Sequence, residues 1–141
     1  MRVVIDTNVF VSGLFFDGKP RTLLNLISER KITPCFIPST FLELKIVLLH
    51  KKFQPQRELL SFSIEEFLRK IKEYSLFFPE PSKVPHIIKE DKADNYFLAC
   101  TLLAGAPFII SGDKHLLKLK EFQRVSIFTP QEFLKKFRKR K

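Results

Sequence analysis

Short apolar runs alternate with amphipathic stretches along this chain, and that alternation leaves few architectures open. Residues 2–6 (RVVID), 33–38 (TPCFIP), 76–78 (LFF), 107–113 (PFIISGD) and 125–128 (VSIF) are short and apolar enough to be strands. Between them, 21–31, 39–53, 63–75 and 91–105 carry helical patterning, and 129–137 closes the chain as a further helix. Two starts show a hydroxyl followed three residues later by a Glu, Thr40 with Glu43 and Ser63 with Glu66, the spacing of a capping box. Gly105 with Pro107 beyond it ends the helix over 91–105. Thr129, Pro130 and Glu132 repeat the start signal at the last helix. Strands separated by helices must pair in parallel and be covered on both faces. The expectation is an α/β fold: one domain over 1–134 with a central, mostly parallel five-stranded sheet flanked by helices, and a basic C-terminal tail over 135–141.

Sheets of this kind bind ligands at the carboxyl ends of their strands. Asp6 ends the first strand and Asp113, after Gly112, ends the fourth. Asp94 begins the long helix before the fourth strand, and Glu43 begins the helix after the second. All four acids fall on, or can face, one edge of the sheet. Two carboxylates about 4 Å apart repel by about 4 kcal/mol at an effective dielectric near 20. A bound divalent cation reverses that sign, and hard oxygen donors suit Mg²⁺ or Mn²⁺.

Each acid except Asp6 also has a structural reading. Glu43 completes the box with Thr40, Asp94 sits where acids favour the helix dipole, and Asp91 reads as the N-cap of that helix. Asp17 in FFDGKP reads as a turn residue, and Asp113 as a cap for KHLLKLK. A carboxylate at the end of an apolar strand, as at Asp6, is costly unless it is paired or faces a wet site.

The balance of 25 basic against 15 acidic residues gives a net charge of +10, which favours a polyanionic partner such as RNA or DNA. Six of the last seven residues, KKFRKRK, are basic, a pattern of a solvated tail or of a phosphate grip. Cys35 and Cys100 lie far apart within apolar segments and read as buried hydrophobes of a reducing compartment. No Cys/His cluster has zinc spacing, Asp6 and Asn8 interrupt any signal-peptide core, and no apolar run reaches the roughly 18 residues of a membrane span. A cytoplasmic protein without a membrane partner is expected.

Three segments, VVIDTNVFVSGL, STFLELKIVL and DKADNYFLACTLLAGAPFIISGDKHLL, resemble the motifs of the PIN-domain family, the fold of many metal-dependent ribonucleases and of toxin–antitoxin toxins. The resemblance spans residues 1–128. It implies a three-layer PIN-like domain whose acidic quartet is Asp6, Glu43, Asp94 and Asp113, ligating Mg²⁺ or Mn²⁺. It also implies that Asn8 and Ser111 arrange the first and last acids. Two positions depart from many relatives: His115 and Asn95 stand where further acids are common. The activity implied is metal-dependent endoribonuclease cleavage, with RNA as substrate, an antitoxin protein as partner and a homodimer as assembly. Arg21, Lys45 and Lys114 are candidate contacts to the RNA backbone, each with a solvated helix face as its plainer reading. His50, His86 and His115 fit no catalytic triad. Two other readings remain: a catalytically idle RNA- or protein-binding module, and a phosphatase using Asp6 as nucleophile. The phosphatase reading wants a second Asp where Asn8 stands.

Overall fold

The computed structural model describes residues 1–89 and 92–139, with Lys139 by its backbone alone. Asp91, expected as a helix cap, lies outside the described residues. The strands form one sheet in the order β3-β2-β1-β4-β6-β5. At its centre β1 (Arg2–Ile5) pairs in parallel with β2 (Thr33–Phe36) on one side and β4 (Phe108–Ile110) on the other. Next, β3 (Leu76–Phe77) extends the sheet beyond β2, and β6 (Val125–Phe128) extends it beyond β4, again in parallel. These are the five expected strands. A sixth, β5 (Glu121–Phe122), adds an antiparallel edge to β6. Its turn carries no Gly. Gln123 in the turn, and Lys120 just ahead of the strand, take the left-handed backbone instead, at φ 54° and 59°, so the usual turn signal is missing from the sequence.

Period-two alternation in β1 divides the core into two clusters. Val3 and Ile5 face helices α1 (Thr7–Phe15), α2 (Lys19–Ser28), α3 (Pro38–Leu48), α5 (Ile64–Tyr74) and α8 (Pro130–Lys139) through Phe10, Leu23, Leu44, Leu68 and Phe133. Val4 faces the other way, toward α6 (Lys92–Ala104) and α7 (Lys114–Leu119), through Leu98, Cys100 and Leu116. The result is three layers, helix on sheet on helix. A 3₁₀ turn (Lys51–Phe53) and the short α4 (Gln54–Glu58) link α3 to α5. Among the described residues, no helix is long and apolar enough to cross a membrane.

Boundaries differ from expectation where local chemistry intervenes. The helix expected over 39–53 ends at Leu48, because the His50 ring accepts the Lys52 N–H and starts the 3₁₀ turn. Helix α1 was not expected, since Asn8 and Gly13 break the apolar pattern. A Cβ on Gly13 would lie 2.8 Å from the Pro20 carbonyl, so the glycine is what lets α1 and α2 approach. The stretch from residue 135, expected as a tail, continues α8 as far as Lys139. Phe137 packs against the core, and the Lys136 ammonium lies 5.2 Å from the Phe128 ring centre.

Candidate active site

Parallel pairing places the carboxyl ends of β1, β4 and β6 side by side. Asp6 follows β1 directly, and its N–H donates to the Ile110 carbonyl at 2.9 Å, extending the ladder by one residue. Its side chain is 4% exposed. The Ser111 hydroxyl, fully buried after β4, donates to Asp6 Oδ2 at 2.6 Å, and the backbone N–H of Asn8 donates to the same carboxylate. Burial nevertheless dominates. It pushes the Asp6 carboxyl from 3.8 up to about 6, and the nearby charges of Asp113 and Glu43 add to the rise.

Asp113 is tied into the same group, since its own N–H donates to Ser111 Oγ at 2.9 Å. One hydroxyl therefore joins the two strand-end acids. Asp113 Oδ1 also accepts the His115 N–H at 2.7 Å, so its reading as cap of α7 holds.

Glu43 corrects the sequence reading. The N-cap of α3 is Ile37, and Thr40 sits three residues into the helix with its hydroxyl bonded to the N–H and the carbonyl of Ile37, each at 3.0 Å. Thr40 is thus no cap partner for Glu43. Glu43 Oε2 instead accepts the buried Thr7 hydroxyl at 2.9 Å, across from α1. Sequence reasoning missed Thr7, although its place next to Asp6 in IDTN was the available signal. It also missed Glu80, whose carboxylate accepts both the N–H and the hydroxyl of Ser39 at the start of α3. A separation of 41 residues leaves no signal for that contact.

Asp94 lies in the first turn of α6 and is 2% exposed, on a helix that packs against both β1 and α3. The structure thus brings Asp6, Asp113 and Glu43 into electrostatic range of one another and buries Asp94 on a neighbouring element. Among the described residues, no three His, Cys, Asp or Glu side chains close around a point that would hold a metal ion. Mg²⁺ commonly takes one or two carboxylates and completes its shell with water and substrate phosphate. An all-oxygen donor set with one acid pushed up by burial fits such a hard cation.

Three comparisons bear on this arrangement. The sequence profile of the PIN domain matches residues 2–115. The chain belongs to the PIN-domain family. It is 31% identical, over 150 aligned positions, to an uncharacterized protein of Methanocaldococcus jannaschii, with 99% of this chain and 93% of that one covered. Its fold resembles a chain in the crystal structure of VapBC2 from Rickettsia felis bound to a DNA fragment from their promoter. There the TM-score is 0.59 at 12% identity, covering 90% of this chain and 97% of the other.

In this PIN domain one of the two departures from common family acids, Asn95, has a local explanation. Asn95 is buried, and its amide ties the loop ahead of α6: Oδ1 accepts the N–H groups of Ile87 and Ile88 at 3.1 and 2.9 Å, and Nδ2 donates to the Ile88 carbonyl at 2.8 Å. At the other, His115 gives its backbone N–H to Asp113, a bond that does not depend on its side chain. Of the three basic candidates, Arg21 is occupied elsewhere. Its guanidinium donates to the carbonyls of Gly13 and Leu14 at 3.1 and 3.2 Å and to Asp17, which closes the end of α1. Lys45 is exposed along a groove with Phe41, Lys72 and Phe77, and Lys114 is exposed at the first position of α7, next to Asp113.

Proposed function

We propose that this chain is a divalent-metal-dependent ribonuclease that hydrolyses phosphodiester bonds in single-stranded RNA or flexible RNA loops, and that it serves as the toxin of a toxin–antitoxin pair. The observation carrying this reading is Asp6, a 4%-exposed carboxylate with two acids nearby, held by Ser111 and Asn8 although burial opposes its charge. Such a group gains most from a cation. Asp6, with Asp94, Asp113 and Glu43, is the set proposed to hold Mg²⁺ or Mn²⁺.

When bound, the cation supplies charge neutralisation at the phosphodiester and activates water at neutral pH. The remaining tasks fall to the chain itself. Ser111 orients Asp6 and, through the Asp113 N–H, spaces the two strand-end acids. Thr7 fixes one oxygen of Glu43, which turns that carboxylate toward the same edge of the sheet. Lys114 and Lys45, with the surplus of ten positive charges, draw the RNA backbone toward this edge. The proposed partners are RNA, an antitoxin protein and a second copy of the chain, in the cytoplasm.

The likeness to a chain of a VapBC complex supports the antitoxin part, and the PIN-domain profile supports nuclease chemistry. One observation favours the second reading, an idle RNA- or protein-binding module: three acids do not converge among the described residues. Titration with Mn²⁺ in a calorimeter separates the two, since an idle module binds no metal. The decisive assay incubates a mixed RNA pool with the protein and Mn²⁺, with EDTA and Asp6→Asn as controls, and sequences the new ends. Cleavage that survives either control rejects the metal mechanism.

A further inference from the structure

Beside Glu43 lies a cleft of about 350 Å³, lined by Ser39, Thr40, Glu43, Ala93 and Tyr96. It runs between the N-terminal parts of α3 and α6, and Asp94 follows Ala93 directly in the sequence. Larger depressions lie elsewhere. One of about 560 Å³ borders Ala106, Pro107 and Val125, at the amino ends of β4 and β6 and so at the opposite edge of the sheet. The smaller cleft shares a wall with Glu43, an acid of the candidate site.

The Ser39 and Thr40 polar groups beside that cleft are already committed. Ser39 gives its N–H and its hydroxyl to Glu80, and the Thr40 hydroxyl bonds Ile37 as both donor and acceptor. What remains is an aromatic wall. Tyr96 is half-buried, with one part packed on the inner cluster and the rest facing the cleft. Its volume lies within the roughly 300–1,000 Å³ of sites that take small organic groups. A cleft with an aromatic side chain on its wall suits a flat ring, and every nucleobase presents one.

We infer that Tyr96 forms a stacking platform for one nucleobase of a single-stranded substrate, next to the phosphodiester that the carboxylates address. The inference rests on the proposed ribonuclease reading. Because stacking carries the contact, the subsite accepts all four bases with little preference, and it excludes duplex, whose bases stay in their own stack.

The chain provides its own probe. It has no Trp and two Tyr, so Tyr74→Phe leaves Tyr96 as the sole tyrosine emitter. That change keeps the aromatic face over which the Arg30 guanidinium sits at 4.7 Å. In this background, a short oligoribonucleotide with EDTA present to prevent cleavage quenches the emission, and the same oligonucleotide lacking one base quenches less. Tyr96→Phe, followed with a labelled oligonucleotide, binds like the parent. Tyr96→Leu leaves an apolar side chain without the π-face and binds about tenfold or more weakly, measured well below its melting temperature. Equal affinity of the Phe and Leu variants overturns the inference and leaves the ribonuclease reading standing. A parent that binds no single strand overturns the inference too, and the cleavage assay then decides the ribonuclease reading on its own.

Discussion

The two halves of the candidate site are built differently. Asp6 and Asp113 come from the ends of adjacent strands, β1 and β4, and share one buried hydroxyl, Ser111, at 2.6 and 2.9 Å. Glu43 and Asp94 come from helices α3 and α6, and the bond that orients Glu43 reaches it from a third helix, through Thr7. Neighbouring strands fix Cα positions through their ladder, so the strand-borne half is set once β1 and β4 pair. Helices are placed by side-chain packing, so the helix-borne half depends on many contacts at once. The contrast predicts a rigid half that holds the cation and a softer half that adjusts when substrate arrives.

The largest effect should come from breaking the rigid half at its centre. Asp6→Asn should remove metal-dependent cleavage altogether, a loss well beyond the roughly 10–100-fold typical of residues that only support a metal ligand. The same change reports on burial. In the native chain the Asp6 carboxyl titrates near 6 against 3.8 for an ordinary Asp, so between those values the folded state holds a proton that the unfolded state has lost. The stability penalty is absent below about pH 4, grows as pH rises, and levels off above about pH 6 at about 3 kcal/mol. Metal-free Asp6→Asn should therefore match the parent near pH 4 and exceed it at pH 7. Denaturant unfolding at both pH values checks this. An equal difference at the two would mean that charge burial is not what distinguishes Asp6.

Next in size are the two supporting hydroxyls. Ser111→Ala removes the donor to Asp6 and the acceptor of the Asp113 N–H together, and should cost roughly 10–100-fold in activity with weaker Mn²⁺ binding. Thr7→Val removes one bond to a half-buried Glu43, and about tenfold or less is expected, restored by Thr7→Ser. Single-turnover cleavage with a Mn²⁺ titration measures both. Should Thr7→Val prove the costlier of the two, the division into a rigid and a softer half would be the wrong way round.

The same division separates what sequence could reveal from what it could not. Asp6 stands out in the sequence because a charge ending an apolar strand is unusual and has few cheap explanations, whereas Asp113 also reads as the cap of α7. For Glu43 the competing reading is the one that fails: a hydroxyl three residues ahead suggests a cap. The cap in fact falls at Ile37, because Pro38 opens the helix earlier. The Thr7 and Glu80 contacts join residues 36 and 41 apart and depend on how helices pack, which no local pattern encodes. Strand β5 escaped for a related reason, since Lys120 before it and Gln123 in its turn stand where Gly or Asn would have announced it.

The smallest effect concerns the C-terminal segment, where the structure changes the experiment. A free tail can be cut away without touching the domain, and its removal would report on phosphate contacts alone. Here residues 135–139 belong to α8, and Phe133, Leu134 and Phe137 pack on the core, so truncation mixes lost charge with lost packing. Charge must be removed with the helix left in place. Replacing Lys135 and Arg138 by Gln keeps helix propensity and spares Lys136, which rests on Phe128. If both side chains contact RNA phosphates, the slope of log affinity against log salt should flatten by about 0.7 for each. Binding at low salt should weaken alike for every sequence, because phosphate contacts carry no base information. An unchanged slope would assign the basic face of α8 to solvation and confine RNA contact to the sheet edge that carries the acids.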